Sequence, residues 1–163
     1  LGDVNVIAED LGFLTDGVRR LLHDSGFPGM KVIQFAFDSR EESDYLPHNY
    51  EKNCVVYTGT HDNDTLCGWY KVLDPDDLKL SQKYMNNANT PKTQIHWDFI
   101  RLALASVANL CIIPLQDYLG LGSEARINTP STLENNWRWR MKSGCLTKAF
   151  AEQIKEMTKL YGR

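Results

Sequence analysis

The sequence predicts a parallel α/β fold, and three observations carry the prediction. Short apolar runs of strand length recur at residues 4–8 (VNVIA), 30–37 (MKVIQFAF), 54–58 (CVVYT) and 109–115 (NLCIIPL). Asn5, Lys31 and Gln34 apart, these runs are apolar on both faces, as strands covered on each side must be. Amphipathic helical patterns lie between and after them, and alternating strand and helix implies a parallel sheet with crossover connections.

Each element has a local reason. The runs are rich in β-branched residues and are bounded by polar or turn residues, which favours strands. Residues 16–24 place Val18, Leu21 and Leu22 on one helical face. Residues 95–107 form a longer and more apolar helix, and residues 146–160 repeat apolar side chains at 150, 154, 157 and 160. Pro75 followed by Asp76 and Asp77 marks a helix start, with acidic residues placed to complement the N-terminal dipole. The segment 86–93 (NNANTPKT) reads as a loop.

At 163 residues, 42% hydrophobic and 24% charged, the chain reads as a single unit over 1–163 with its own core. Its net charge of −3 and its scattered Lys and Arg argue against a nucleic-acid or anionic-membrane partner. No apolar stretch reaches the roughly 18 residues of a membrane span, and no signal peptide opens the sequence. Cys54, Cys67, Cys111 and Cys145 lack metal-ligand spacing and read as reduced, packed thiols, which fits a cytoplasmic protein or, in a plant, a plastid one. Leu1 in place of an initiator Met suggests a piece of something longer.

In a parallel α/β sheet the reactive residues lie in loops at the carboxyl ends of the strands. Glu9 and Asp10 follow the first run, and Asp38, Arg40, Glu41 and Glu42 the second. His61, Asp62, Asn63 and Asp64 follow the third, and Gln116 and Asp117 the fourth. Glu9 and Asp62 are placed to face one sugar from two sides, since glycosidic cleavage needs a carboxylic acid for the leaving oxygen and a carboxylate beside the developing cation. Phe37, Tyr45, Trp69 and Tyr70 are the aromatic candidates for stacking on sugar rings. His61, Asp62 and Asp64 also suit a metal, but adjacent strand-end residues point apart and no second histidine stands at ligand spacing. A GxSxG elbow and a complete phosphate-binding glycine loop are both missing.

Six segments in order, IAEDLG (7–12), PGMKVIQFAF (28–37), YLPHN (45–49), VVYTGTHDNDT (55–65), PLQDYLGLGSEARINTP (114–130) and NWRWR (136–140), closely resemble the 4-α-glucanotransferases, or amylomaltases, of the α-amylase clan. The resemblance implies a (β/α)8 TIM barrel that moves α-1,4-glucan segments between maltooligosaccharides by a retaining double displacement. It implies that Glu9 is the general acid/base and that Asp62 stabilises the transition state. It gives His61 a hydrogen bond to the donor sugar, and Asn63, Gln116 and Asn128 are the further substrate-binding candidates. No metal or organic cofactor is implied.

The family's nucleophile, an aspartate in a motif of the form RIDHF, has no match in these residues. The four runs would then be barrel strands five to eight, and the chain the C-terminal half of a barrel that typically needs about 250 residues. A half barrel leaves open strand edges and uncovered apolar surface, so its expected partner is the missing N-terminal half or a second copy. Two other readings stay open: a small inverting glycoside hydrolase using Glu9 and Asp62, and a non-catalytic glucan-binding or interaction unit.

Smaller expectations complete the reading. Asp64 is structural, tying its loop through backbone N–H groups. Trp137 and Trp139 pack in the core with Arg138 and Arg140 capping or pairing, Phe35 and Phe37 are core residues, and Glu41, Glu42 and Asp44 form a solvated loop.

Overall fold

Among the described residues three strands form, all parallel and adjacent in chain order: β1 (Gly29–Val32), β2 (Cys54–Tyr57) and β3 (Leu110–Ile112). The structure, a computed structural model, describes residues 4–163. The register runs Val32 beside Tyr57 beside Ile112 in the last row, so the carboxyl ends of the strands are level.

The run at 4–8 is the correction. It forms no strand, and the Ala8 N–H bonds the carbonyl of Pro28, just ahead of β1, at 2.9 Å. The next bond of a parallel ladder would use the Met30 N–H, but Asp10 Oδ1 accepts that donor at 2.6 Å. Gly29 makes the room, since a Cβ there would stand 2.6 Å from Asp10 Oδ2. A carboxylate has replaced a ladder bond, and the segment lies against the β1 edge without joining it.

Two runs are shorter than their apolar lengths. After Val32 the chain turns through a single 3-10 turn, Ile33–Phe35, in which the Gln34 N–H reaches the Thr58 carbonyl and Gln34 Nε2 donates to the Asp64 carbonyl at 2.7 Å. After Ile112 the chain reaches Pro114 and the short helix α5 (Leu115–Tyr118). Between β1 and β2 the chain makes only single 3-10 turns, so that crossover lacks the α-helix that strict alternation predicts.

The other helices follow their end signals. Thr15 caps α1 (Asp16–Ser25) by accepting from the Val18 N–H, and Thr147 caps α6 (Lys148–Leu160) through the Phe150 N–H. Asp74 caps α3 (Pro75–Met85), with Pro75 in the first turn and Asn86 in the left-handed conformation at its end. Thr65 caps α2 (Leu66–Lys71), a helix with no counterpart among the sequence expectations. The apolar helix at 95–107 ends three residues early, as α4 (Ile95–Leu104), and leaves Val107 exposed.

The core lies where α4 meets α2 and the sheet. Ile95, Phe99, Ile100 and Ala103 are buried against Val56, Leu66 and Phe37. Phe99 is the hub, with the rings of Phe37, Trp69 and Tyr70 packed on it at 5.2–5.9 Å between centroids. Its burial is worth about 2–3 kcal/mol, with each well-placed ring pair adding up to about 1 kcal/mol. Three of the four aromatics named for sugar stacking, Phe37, Trp69 and Tyr70, are therefore committed to this cluster, leaving Tyr45. Helix α1 contributes nothing buried, and its Leu21 is 69% exposed although it sits on the apolar face.

Candidate active site

Three level strands ending in polar loops build one cleft. It has a volume of about 930 Å³ and lies at the carboxyl ends, where Tyr57 and Ile112 of the last register row form its base. Glu9 enters from the segment beside β1, His61, Asp62 and Asn63 from the loop after β2, and Gln116 from α5. Phe35 and Tyr45 meet edge to face on one wall, with centroids 5.4 Å apart.

Glu9 is exposed and is held in place through its neighbour, because Asp10 anchors the segment to Met30. The loop carrying Asp62 folds on itself: Asn63 Oδ1 accepts from the Thr60 N–H and from Thr60 Oγ1, both at 2.8 Å, and the Asp62 N–H reaches Thr60 Oγ1 at 3.3 Å. His61 Nε2 lies 3.3 Å from Asp62 Oδ1, and both side chains are about half exposed. Asn63 thus uses its side-chain carbonyl to order the loop.

Gln116 lines the cleft but is buried, and its Nε2 donates to the Ala125 carbonyl at 3.4 Å. Asn128 lies outside the lining and donates through Nδ2 to Asp62 Oδ1 at 2.6 Å, so its direct partner is the carboxylate. Asp64 turns away from the cleft, accepting from the Thr65 N–H and Ser123 Oγ, in keeping with a structural role.

Two aromatic expectations are corrected. Phe35 is 41% exposed and lines the cleft, because the 3-10 turn after β1 rotates it out of the sheet. Trp137 is 58% exposed and tilts over His61 at 5.1 Å between centroids. Its backbone is left-handed, with φ 61°, a conformation that costs a bulky residue on the order of 1–3 kcal/mol. The Trp137 N–H bonds the Ile127 carbonyl at 2.7 Å, which holds the strained residue there. Trp139 lines a separate surface cleft with Arg140 and Lys142, and Arg140 donates to the carbonyls of Trp137 and Trp139, capping its own segment. The acidic residues Glu41, Glu42 and Asp44 border a second cleft with Asp38 and Asp77; Asp44 also pairs with Arg19 at 3.4 Å.

Beneath the Asp62 loop sits a carboxylate that the sequence pattern leaves without a role. Asp117 is 2% exposed, accepts from Thr58 Oγ1 at 2.5 Å and from the Leu66 N–H at 2.8 Å, and so joins the end of β2 to the start of α2. Burial pushes its pKa up to about 6, the two hydrogen bonds hold it down in part, and nearby Asp64 adds to the rise. The four cysteines are free, and burial raises the thiols of Cys67 and Cys111 to about 11. Among the described residues no three His, Cys, Asp or Glu side chains converge as a metal set, and no helix is long and apolar enough to cross a membrane.

The parallel sheet thus presents, at the ends of its strands, a cleft lined by two carboxylates with aromatic and amide side chains beside them. Residues 1–147 match the family described as 4-alpha-glucanotransferase, and the chain belongs to that family. It is 49% identical to the 4-alpha-glucanotransferase of Clostridium butyricum, covering 100% of this chain and 33% of that protein. It is 46% identical to the chloroplastic/amyloplastic 4-alpha-glucanotransferase of Oryza sativa subsp. japonica, covering 100% of this chain and 28% of that one. Among solved structures, the amylomaltase from Streptococcus agalactiae in complex with acarbose superposes with a TM-score of 0.92 at 38% identity, over 100% of this chain and 33% of that one. The amylomaltase from Corynebacterium glutamicum matches at a TM-score of 0.67 and 15% identity over 97% of this chain and 28% of that one, a likeness of fold alone. The chain therefore spans about a third of the length of the relatives it matches.

Proposed function

We propose that this chain supplies the C-terminal half of the (β/α)8 barrel of a 4-α-glucanotransferase, contributing the acid/base Glu9 and the stabiliser Asp62 to a site completed by residues outside it. The observation that carries the reading is the joint lining of one strand-end cleft by Glu9, His61 and Asp62 in a chain of this family. The parent enzyme transfers α-1,4-glucan segments between maltooligosaccharides in the cytoplasm or a plastid.

In the first half of the reaction Glu9 protonates the glycosidic oxygen, and the bond to the anomeric carbon breaks as a carboxylate nucleophile attacks it. Asp62 places negative charge beside the developing cation, and His61 donates to a hydroxyl of the same sugar. Glu9, now a carboxylate, takes the proton from the 4-hydroxyl of the acceptor chain, which displaces the nucleophile with overall retention. Phe35 and Tyr45 offer apolar ring surface to the sugar faces.

No aspartate of the RIDHF form stands in this sequence, so the nucleophile comes from the other half. The purified chain incubated with maltotriose is expected to give no ladder of longer maltooligosaccharides, and addition of an N-terminal portion that refolds with it restores the ladder. Transfer by the chain alone would overturn the division of the site.

The same reading explains the uncovered apolar surface. Leu110 and Ile112 on the outer strand, Val4 and Ile7 beside the opposite edge, and Leu21 of α1 are exposed. Val4–Ile7 takes the place of barrel strand five beside β1, with the missing strands beyond it. The isolated chain is expected to self-associate in sedimentation as its concentration rises, and a clean monomer at high concentration counts against the half-barrel.

A further inference from the structure

We infer that Arg126 is a positioning residue for Asp62, acting as the bridge that locks the strand-end loop against the segment after β3; the role in transfer rests on the proposed function. Inside its own loop the Asp62 N–H reaches Thr60 Oγ1 at 3.3 Å and the His61 ring lies 3.3 Å from its Oδ1. Its carbonyl and its carboxylate are both held by residues far along the chain, Arg126 and Asn128. Arg126 Nη2 donates to the Asp62 carbonyl at 2.7 Å, and Arg126 Nε donates to the Asn128 carbonyl at 2.8 Å. One planar guanidinium therefore spans two backbones from two loops.

Two further bonds share that geometry. The Asn128 N–H donates to the His61 carbonyl at 3.1 Å, and Asn128 Nδ2 donates to Asp62 Oδ1 at 2.6 Å. His61 Nε2 approaches the same Oδ1 at 3.3 Å. Oδ1 is thus occupied, while Oδ2 has no hydrogen bond among the described residues and is the oxygen left for substrate. Arg126 makes no ion pair with the carboxylate; it grips the backbone and leaves the negative charge of Asp62 unspent. Trp137 closes the far side, with its N–H on the Ile127 carbonyl and its ring over His61.

A lysine ammonium carries its three donors on one nitrogen and lacks the planar fork that sets Nε and Nη2 toward two separate carbonyls, so the geometry of Arg126 suits this task better. The test has two arms. In the 163-residue chain, hydrogen exchange read by NMR is expected to quicken at the Asn128 and Trp137 amides by about tenfold in Arg126→Ala while Val56 of the sheet keeps its protection. In the complete enzyme, the same variant is expected to lower kcat by about 100-fold with KM little changed, and Arg126→Lys to recover part of it.

Unchanged exchange at Asn128 overturns the bridge, and loss of protection throughout the sheet reduces Arg126 to a general structural role. An unchanged kcat, or a loss confined to KM, overturns the link to Asp62. If the unsubstituted complete enzyme shows no glucan transfer, the proposed function fails, and the exchange arm still decides the bridge.

Discussion

Glu9→Gln in the complete enzyme is expected to lower transfer from maltotriose by about 10²–10⁴-fold, the range that a positioned proton donor supplies. The informative comparison is with a donor whose leaving group needs no proton, such as a maltosyl fluoride. With that donor the substituted amide costs little in the first half-reaction, because fluoride departs without an acid. The glycosyl-enzyme then accumulates, since activation of the acceptor hydroxyl still needs the base. Asp62→Asn should behave differently. On the proposed function its charge acts on the sugar cation rather than on the leaving group, so a loss on the order of 10²–10³-fold is expected with either donor. The two losses are expected to combine less than additively, because both residues serve one transition state. Equal rescue of both variants by the fluoride would sink the division of roles, and a Glu9→Gln variant active on maltotriose would remove Glu9 from the chemistry.

The residues behind that prediction were legible because strand-end loops follow from local pattern. The run 54–58 is short, apolar and β-branched, and the polar tetrapeptide after it falls at the carboxyl end of β2 whatever surrounds it. Helix α3 was equally legible, with Pro75 and two acidic residues in its first turn and an asparagine that accepts the left-handed conformation at its end. Asp10, Asp64 and Asp117 are carboxylates at equivalent places that bond backbone N–H groups, work that local pattern does not distinguish from a role in chemistry.

What the sequence hid depends on single long-range contacts. Nothing in VNVIA reveals that Asp10 takes the Met30 N–H and so removes the second ladder bond. The NWRWR segment reads as core packing with its arginines capping or pairing, whereas Asn135 and Trp137 have φ near 62° and the Trp137 ring tilts over His61. Asn has a known tolerance for that conformation; Trp has none, so the sequence carried no signal for it. Arg126 was unmarked for a similar reason, since its partners are backbone carbonyls, which leave no trace in residue identity. Asn128 is a substrate-binding candidate by sequence, and its amide donates to the Asp62 carboxylate.

Asp117 gives the largest expected effect on stability, and its sign can be worked out. Its pKa is about 6 in the folded protein, above the ordinary 3.8, because burial opposes the charge. Stability from this group is fully present below the ordinary value and is lost as pH rises through about 6. The shift of roughly two units bounds the loss at about 3 kcal/mol between pH 4 and pH 8. Two other groups run the opposite way. Asp38, held down to about 2 by the hydrogen bonds from Arg40, adds stability above its ordinary value and loses it as pH falls through 2, outside this window. Burial lowers the pKa of His96, so acidification through the ordinary histidine range costs stability there. Asp117→Asn removes the Asp117 effect alone. Its Oδ1 still accepts from the Leu66 N–H, and its Nδ2 donates to Thr58 Oγ1, which accepts in place of donating. Urea unfolding of both proteins at pH 5 and pH 8, at matched concentration, is the measurement. The variant should gain on the original by about 1.4 kcal/mol between those pH values, because only the last pH unit below the folded value of about 6 falls in the interval, with His96 cancelling in the difference. Parallel pH dependence in the two proteins would mean that Asp117 holds its charge without cost beneath the Asp62 loop.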